Sequence, residues 1–212
     1  MVREIHIIHS DKTLVVVNKP GGLLAVPGRG PDKQDCLVNR ARHYFADLPD
    51  QPAVHRLDMQ TSGLMLLART VSAHRNLSRQ FQQRLVDKRY VALVEGVITS
   101  DSGRLDLSFR LDPENRPYQV YDPLNGKQGI TIWRKLSDEF PGARIEFTAL
   151  TGRTHQLRLH AAHHLGLNAP IVGDSLYGNG QFGDKMFLHA TYLSFIHPET
   201  NAPCEFVSEP PF

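Results

Sequence analysis

The chain has 212 residues, of which 41% are hydrophobic and 22% are charged, and its formal net charge is +2. This composition is ordinary for a soluble globular protein of one large or two small domains. No apolar run reaches membrane-spanning length, the N-terminal residues do not form a secretion signal, and the two cysteines are far apart. We therefore expect a cytoplasmic protein with no membrane partner, no disulfide scaffold and no zinc ribbon.

The first part of the chain predicts short strands, a loop and two helices. Residues 5–24 form two strands around a Ser-Asp-Lys turn, and a short amphipathic helix follows within 35–45, which Asp35 could cap. Residues 63–68 ("GLMLLA") are apolar throughout, which predicts a buried central strand. The clearest helix spans 71–86, with Ser72 as its N-cap. Its core stripe is expected to be Ala73, Leu77, Phe81 and Leu85.

The second part is richer in strands. We predict strands at 88–98 and 143–150, short strands with an irregular loop between 99 and 127, a helix at 154–166 closed by Gly166, and two final strands. Because many strands follow one another directly, the sequence predicts an α+β fold with a mixed, largely antiparallel central sheet flanked by helices and loops. Without a repeat or a linker, a single domain over residues 1–212 is the simplest organisation.

Positive charge is concentrated in one segment. Between residues 69 and 89 there is one acid, Asp87, against six basic residues, which are Arg69, Arg75, Arg79, Arg84, Lys88 and Arg89. A locally basic face suits a polyanion that docks on one side. A solvated helix face would give the same pattern, so the charge distribution alone is compatible with both interpretations.

Several chemistries lack their motifs. The chain has no phosphate-binding P-loop, no dinucleotide-binding glycine pattern, no nucleophile elbow and no H-E-x-x-H. His160, His163 and His164 are spaced so that they could share a helix face, which leaves a metal-dependent hydrolase as a remote alternative.

Four segments occur in an order and spacing similar to those of one enzyme family. They are "NKPGGLLAVPG" (18–28), "HRLDMQTSGLMLLA" (55–68), "KRYVALVEG" (88–96) and "TGRTHQLRLH" with "PIVGDSLYG" (151–178). The chain thus resembles the RluA family of pseudouridine synthases. The resemblance implies the pseudouridine synthase catalytic fold and an RNA substrate. It also implies isomerisation of uridine without metal or cofactor, and no obligate protein partner is evident.

A finer resemblance concerns the substrate. "DPENRP" followed by "NGK" resembles the RluA-type branch, which implies modification of uridine 32 in a tRNA anticodon loop and uridine 746 in 23S rRNA. Gly129 departs from that branch, which usually has alanine there, so a different tRNA or rRNA uridine stays open. No N-terminal S4-type RNA-binding domain is expected.

The reaction breaks the N1–C1′ bond of uridine and rejoins the base through C5, so one carboxylate in a pocket without water suffices. Asp58 is the best candidate, because Asp87 and Asp101 lie in polar turns. The resemblance assigns to Arg158 the task of keeping Asp58 ionised, and it places Tyr90 against the target base. Attack at C1′, attack on the base and elimination through a glycal all remain open.

The remaining candidates would bind the RNA. On a strand, Arg56 would share a face with Asp58 and could fill the gap left by a flipped base. Phosphates would be held by the basic run and by the loop around Arg29 and Lys33. The expected RNA-binding residues are His55, Arg56, Thr61, Lys19, Arg79 and Arg89. A module that binds RNA without activity is the other open alternative.

Overall fold

The structure, a computed structural model, describes residues 4–212. Its strands are β1 His6–Ser10, β2 Leu14–Lys19, β3 Ser62–Ala68, β4 Asp87–Glu95, β5 Ser102–Leu111, β6 Gln119–Tyr121, β7 Lys127–Glu139, β8 Gly142–Ala149, β9 Leu188–Ile196 and β10 Pro203–Val207. Its helices are α1 Leu37–Ala41, α2 Val71–Gln82 and α3 Gln156–Ala162, with a short 3-10 helix at Pro31–Lys33. None of the helices in residues 4–212 has the length and apolar character needed to span a bilayer.

The chain divides into two compact units. Unit 1 contains the N-terminal part of the chain through Asp87, together with residues 189–211. Unit 2 contains residues 88–188 and Phe212. Strands predominate in both, so the α+β class with a mixed, largely antiparallel sheet is confirmed. A single domain over residues 1–212 stays a prediction.

In unit 1 the buried strand β3 lies between β2 and β9. It is antiparallel to β2 and parallel to β9, while β1 pairs with β2 and β10 with β9. Every residue of β3 is buried, as its apolar sequence predicts. Gly63 has a φ of +112°, and a Cβ there would overlap the backbone of Ala190 on β9. Glycine is therefore required for β3 and β9 to approach this closely.

Helix α2 covers β3 with the predicted stripe. Ala73 and Leu77 are buried in a cluster that also contains Leu64 and Leu66 of β3, and Phe81 packs at its edge. The capping prediction was wrong, however. The N-cap is Thr70, whose Oγ1 accepts a hydrogen bond from Ala73 N–H at 3.1 Å, because it is the last residue with extended backbone.

The other end of α2 and the preceding helix α1 also differ from prediction. Arg84 has a φ of +61°, so the helix has ended before Leu85, whose side chain is 62% exposed instead of buried. The cap of α1 is Cys36, whose Sγ accepts from Asn39 N–H. Asp35 does not cap; its carboxylate instead binds Arg40 of α1 through two hydrogen bonds of 2.7 and 2.8 Å.

Unit 2 is an antiparallel arrangement of strands in the order β4-β8-β7-β5-β6. Its core contains Ala92 and Val94 of β4 together with Ile145 and Phe147 of β8, which confirms the predicted alternation along β4. Leu157 and Ala161 of α3 join the same core. Leu159 packs instead against Leu107 and Phe109 of β5.

Helix α3 is shorter than predicted. It ends at Ala162, because His163 has an extended ψ of 141°. Gly166 therefore does not close the helix, and lies in the following turn, where its N–H donates to the His163 carbonyl at 2.7 Å. The first helical turn follows His155, which adopts a left-handed φ of 56°.

Candidate active site

Asp58 lies in the loop that leads into β3, and its side chain is partly buried. His55 anchors the start of this loop to strand β3 and helix α2. Its Nε2 accepts a hydrogen bond from Leu66 N–H at 3.0 Å, and its ring stacks on Phe81 with centroids 4.6 Å apart. The imidazole therefore fixes the start of the loop three residues before Asp58.

The residues around Asp58 are not a strand, contrary to the prediction for Arg56. Residues 55–61 are irregular, and β3 begins at Ser62. Arg56 is exposed, Leu57 is buried and Asp58 is partly buried, and a shared face for Arg56 and Asp58 stays a prediction. Thr61 is buried, and its N–H donates to the Asp58 carbonyl at 3.2 Å, which closes a turn after the carboxylate.

Lys19 lies directly under this loop and is fully buried. Its ammonium donates to the carbonyls of Pro20, Leu23 and Met59 at 2.9, 2.7 and 3.1 Å. Burial lowers the pKa of Lys19 to about 7, and the negative charge of Asp58 opposes that shift. A phosphate contact needs an exposed cation, so the prediction that Lys19 binds RNA does not fit this position. Lys19 instead ties the loop at 20–23 to the residue that follows Asp58.

A buried chain of polar groups fixes the end of the Asp58 loop. Ser62 Oγ lies 2.7 Å from His189 Nδ1, His189 Nε2 lies 3.0 Å from Ser208 Oγ, and Asn18 Nδ2 donates to Ser208 Oγ at 3.0 Å. Burial lowers the pKa of His189 to about 4, so the imidazole is neutral at pH 7 and bridges two hydroxyls. Both ends of the Asp58 loop are thus attached to the sheet of unit 1.

In unit 2, Arg158 forms a buried ion pair with Asp174. Arg158 Nε and the guanidinium nitrogen Nη2 donate to the two carboxylate oxygens at 2.8 and 2.6 Å, and the two side chains are 4% and 1% exposed. The N–H groups of Leu176 and Tyr177 also donate to Asp174 Oδ1. Burial alone would raise the pKa of Asp174, but the hydrogen bonds and charge of Arg158 and the backbone donors outweigh it, so this pKa lies below its ordinary value.

Tyr177 connects this ion pair to the end of the loop at residues 112–118. Its ring lies under the Arg158 guanidinium, 5.2 Å from Cζ to the centroid. Its hydroxyl lies 2.8 Å from His155 Nδ1 and accepts a hydrogen bond from Gln119 N–H at 2.9 Å. Tyr118 meets the same ring edge-on. The segment that includes "DPENRP" is therefore attached to the residues that hold Arg158.

Tyr90 lies on β4 opposite Phe147 of β8 and is partly buried against the core of unit 2. Its neighbour Arg89 lies opposite Thr148 and is also partly buried. Both residues therefore occupy the strand that the sequence predicts.

Gly129, which departs from the branch pattern, lies against α3. A Cβ at this position would be 3.2 Å from the side chain of Gln156. Gln156 is buried, and its amide donates to the Ile130 carbonyl and to Thr131 Oγ1 at 3.1 and 2.9 Å. The glycine thus leaves room for a glutamine that joins α3 to β7.

The three histidines of the hydrolase alternative do not form a metal site. His160 is fully buried with Nδ1 2.9 Å from Thr131 Oγ1, whereas His163 and His164 stack on each other at 4.4 Å. Within residues 4–212, no group of three or more His, Cys, Asp or Glu side chains is arranged to hold a metal ion.

The predicted phosphate-binding residues Arg79, Arg29 and Lys33 lie on different elements of unit 1. Arg79 is exposed on α2. Arg29 is exposed in the loop before the 3-10 helix, and Lys33 is exposed as the last residue of that helix. Whether they bind RNA stays a prediction.

Sequence patterns place Asp174 only after the three histidines of the hydrolase alternative, not with Arg158, and they do not single out Tyr177 or His189. Asp174 and Tyr177 belong to the "PIVGDSLYG" segment, so the resemblance marks their neighbourhood but gives them no role. Asp174 lies in a loop 16 residues after Arg158, and a partner at that distance cannot be read from helical spacing.

Comparison with known proteins identifies the class of enzyme to which the chain is similar. A family model described as RNA pseudouridylate synthase matches residues 13–163. The dual-specificity RNA pseudouridine synthase RluA of Yersinia pestis is 39% identical, over 97% of this chain and 99% of the relative. The enzyme of the same name from Pasteurella multocida is 41% identical, over 97% and 93%. The solved structure of human RNA pseudouridylate synthase domain containing 1 matches with a TM-score of 0.80 and 28% identity, covering 100% of this chain and 86% of that one.

The fold and the matched sequence together define a pseudouridine synthase, an isomerase that acts on RNA. The chain belongs to the RNA pseudouridylate synthase family, within which its relatives are of the RluA type. The resemblance given by the four sequence segments is thereby confirmed.

Proposed function

We propose that this enzyme converts uridine 32 of a tRNA anticodon loop, uridine 746 of 23S rRNA, or both, to pseudouridine, with Asp58 as the essential carboxylate. The observation that carries the proposal is the Asp58 loop, which His55 anchors at one end and the Ser62–His189 hydrogen bond at the other. Such anchoring holds a carboxylate in one geometry, which a reaction at a single ribose carbon requires.

Asp58 acts in its ionised form, either as nucleophile or as base. The N1–C1′ bond of the uridine breaks, the base turns, and a C5–C1′ bond forms; the C5 proton leaves and N1 gains a proton, so the atoms balance. The name dual-specificity, carried by the relatives, supports two RNA targets here. We propose that Tyr90 and Arg158 take part in the same reaction, as the resemblance implies.

Base flipping makes the target accessible. A uridine in an RNA loop can leave the stack at a cost of a few kcal/mol. Arg56 is exposed two residues before Asp58, and we propose that its planar guanidinium occupies the space that the base vacates. The reaction takes place in the cytoplasm, where tRNA and rRNA are found, and needs no protein partner.

The decisive experiment uses the purified chain with unmodified tRNA and a 23S rRNA fragment, and detects pseudouridine by nucleoside mass spectrometry. Asp58→Asn should reduce the rate of pseudouridine formation by about 10²–10⁴-fold or more. Asp101→Asn is the matched control, because Asp101 is a solvated acid with 93% of its side chain exposed. Full activity in Asp58→Asn would contradict the assigned role.

Substituted RNAs test the targets separately. Replacing uridine 32 or uridine 746 by cytidine should abolish pseudouridine formation in the corresponding RNA. Product that persists in both substituted RNAs would show that the enzyme acts at a different uridine.

A further inference from the structure

The outward face of α2 forms a groove that the proposed reaction does not use. The side chains that line it, here called the α2 groove, are Val71, His74, Arg75, Ser78, Arg79 and Gln82. They recur every three or four residues and so share one helix face. Over these residues the helix rises by roughly 16 Å. The groove is therefore a straight row of mostly polar donors on the surface of unit 1.

The charge of the α2 groove is uncompensated. No Asp or Glu occurs between residues 70 and 86. Arg75 and Arg79 are exposed, and within the described part of the chain neither has a carboxylate partner. By contrast, other arginines pair with acids, for example Arg69 with Asp47 at 2.6 Å. Exposed guanidinium groups without a partner acid are available for a polyanion.

The helix that carries the α2 groove contacts the Asp58 loop near its C-terminal end. Phe81, beside the last groove residue Gln82, carries the ring on which His55 stacks. His55 is three residues from Asp58 in the same anchored loop. The C-terminal end of α2 is thus held next to the loop that contains Asp58, which places the α2 groove on the same unit as the proposed target site.

The groove chemistry distinguishes paired from unpaired RNA. Surfaces that bind single strands offer aromatic side chains on which bases stack. The α2 groove contains no Phe, Tyr or Trp, and its one aromatic ring, His74, is partly buried with Nδ1 3.5 Å from Ser78 Oγ. Its arginine, serine and glutamine donors suit phosphates and 2′-hydroxyls. We propose that the α2 groove binds the phosphate backbone of the double-helical stem next to the target loop. This inference rests on the proposed function, because that function supplies the RNA.

The test uses the double variant Arg75→Gln/Arg79→Gln and a hairpin that contains the target uridine in its loop. Each phosphate contact on a duplex contributes about 0.9 to the slope of log affinity against log salt, so the slope should decrease by about 1.8. At 0.1 M salt, KM should rise roughly 10- to 60-fold, whereas kcat measured at saturating RNA and the melting temperature should stay close to those of the wild type.

A matched control removes the same charge elsewhere. Arg104 and Arg134 are exposed in unit 2, but they pair with Asp106 and Glu146. The double variant Arg104→Gln/Arg134→Gln should keep KM within about twofold and leave the salt slope unchanged. An equal loss in this control would mean that net charge alone matters, which would overturn the proposal.

Binding of a single-stranded oligonucleotide with the loop sequence tests whether the α2 groove binds unpaired RNA instead of a double-helical stem. The α2 double variant should bind this oligonucleotide as the wild type does. An equal loss on the oligonucleotide would assign the groove to unpaired RNA, and an unchanged salt slope on the hairpin would exclude RNA from it. Both results would overturn the inference. If the wild type binds the hairpin but forms no pseudouridine, the proposed function fails while the salt slopes still test the groove.

Discussion

The buried ion pair between Arg158 and Asp174 makes a quantitative prediction about stability. Asp174→Asn keeps the shape of the side chain but removes the negative charge that pairs with the Arg158 guanidinium, whose side chain is only 4% exposed. Removing one member of a buried pair costs about 3–5 kcal/mol in the free energy of unfolding. For a chain of this size each kcal/mol corresponds to about 2–4 °C, so the melting temperature should fall by roughly 6–20 °C.

Calorimetry at pH 7 measures the loss of stability in Asp174→Asn and compares it with the loss in two further variants. Glu146→Gln breaks the pair with Arg134, whose side chain is 64% exposed, and should cost less than about 1 kcal/mol. The double variant Arg158→Met/Asp174→Asn removes both charges but keeps an oxygen that accepts from the N–H groups of Leu176 and Tyr177, so it should recover part of the lost stability, although not the activity.

The pH dependence has a definite sign. Because the pKa of Asp174 lies below its ordinary value of 3.8, its contribution to stability is present above that value and is lost as the pH falls below it. The difference between the wild type and Asp174→Asn should therefore shrink on acidification. If Asp174→Asn costs no more than Glu146→Gln at pH 7, the argument from burial is refuted.

Three other substitutions test the architecture of unit 1. Gly63→Ala should lower the free energy of unfolding by more than about 2 kcal/mol in urea titrations, because its Cβ overlaps the backbone of Ala190 and its φ is positive; wild-type stability would show that β3 and β9 can separate without cost. Since the pKa of Lys19 is about 7 instead of 10.5, the wild type should gain stability as the pH rises between these values, and Lys19→Met should lack this gain; the same gain in both proteins would contradict the assignment. His189, with a pKa of about 4 instead of 6.5, should make the wild type lose stability as the pH falls through that interval, and His189→Gln should lose less; parallel pH curves would count against it.

Local patterns predicted the elements of this fold better than their ends. The apolar run of β3 and the stripe of Ala73 and Leu77 on α2 depend on periodicity, which the sequence carries directly. The end of α2 depends on the left-handed backbone of Arg84, for which no glycine or proline gives a signal. The helix of 154–166 was predicted too long because apolar spacing continues past Ala162, where the backbone turns.

In the candidate site, too, contiguous sequence motifs could be predicted, whereas contacts between distant residues could not. The motif around Asp58 could be recognised, because its residues are contiguous. The burial of Lys19 under that loop could not, since a lysine at the end of a strand is ordinarily exposed. The partnership of Arg158 with Asp174 depends on the path of a loop, which only the tertiary structure defines.

The hydrogen bond between Ser62 and His189 joins residues 127 positions apart in the chain. During synthesis from the N-terminus, β3 emerges from the ribosome long before β9, and the intervening segment must be made before their parallel pairing can form. Closing so large a loop slows folding, because the chain loses conformational entropy before the contact between β3 and β9 can stabilise it. The nascent chain therefore carries Asp58, the carboxylate proposed to act in the reaction, in a loop that lacks its second anchor until nearly the whole polypeptide has been translated. A truncated product without His189 would contain the Asp58 motif but not the hydrogen bond that holds the end of its loop.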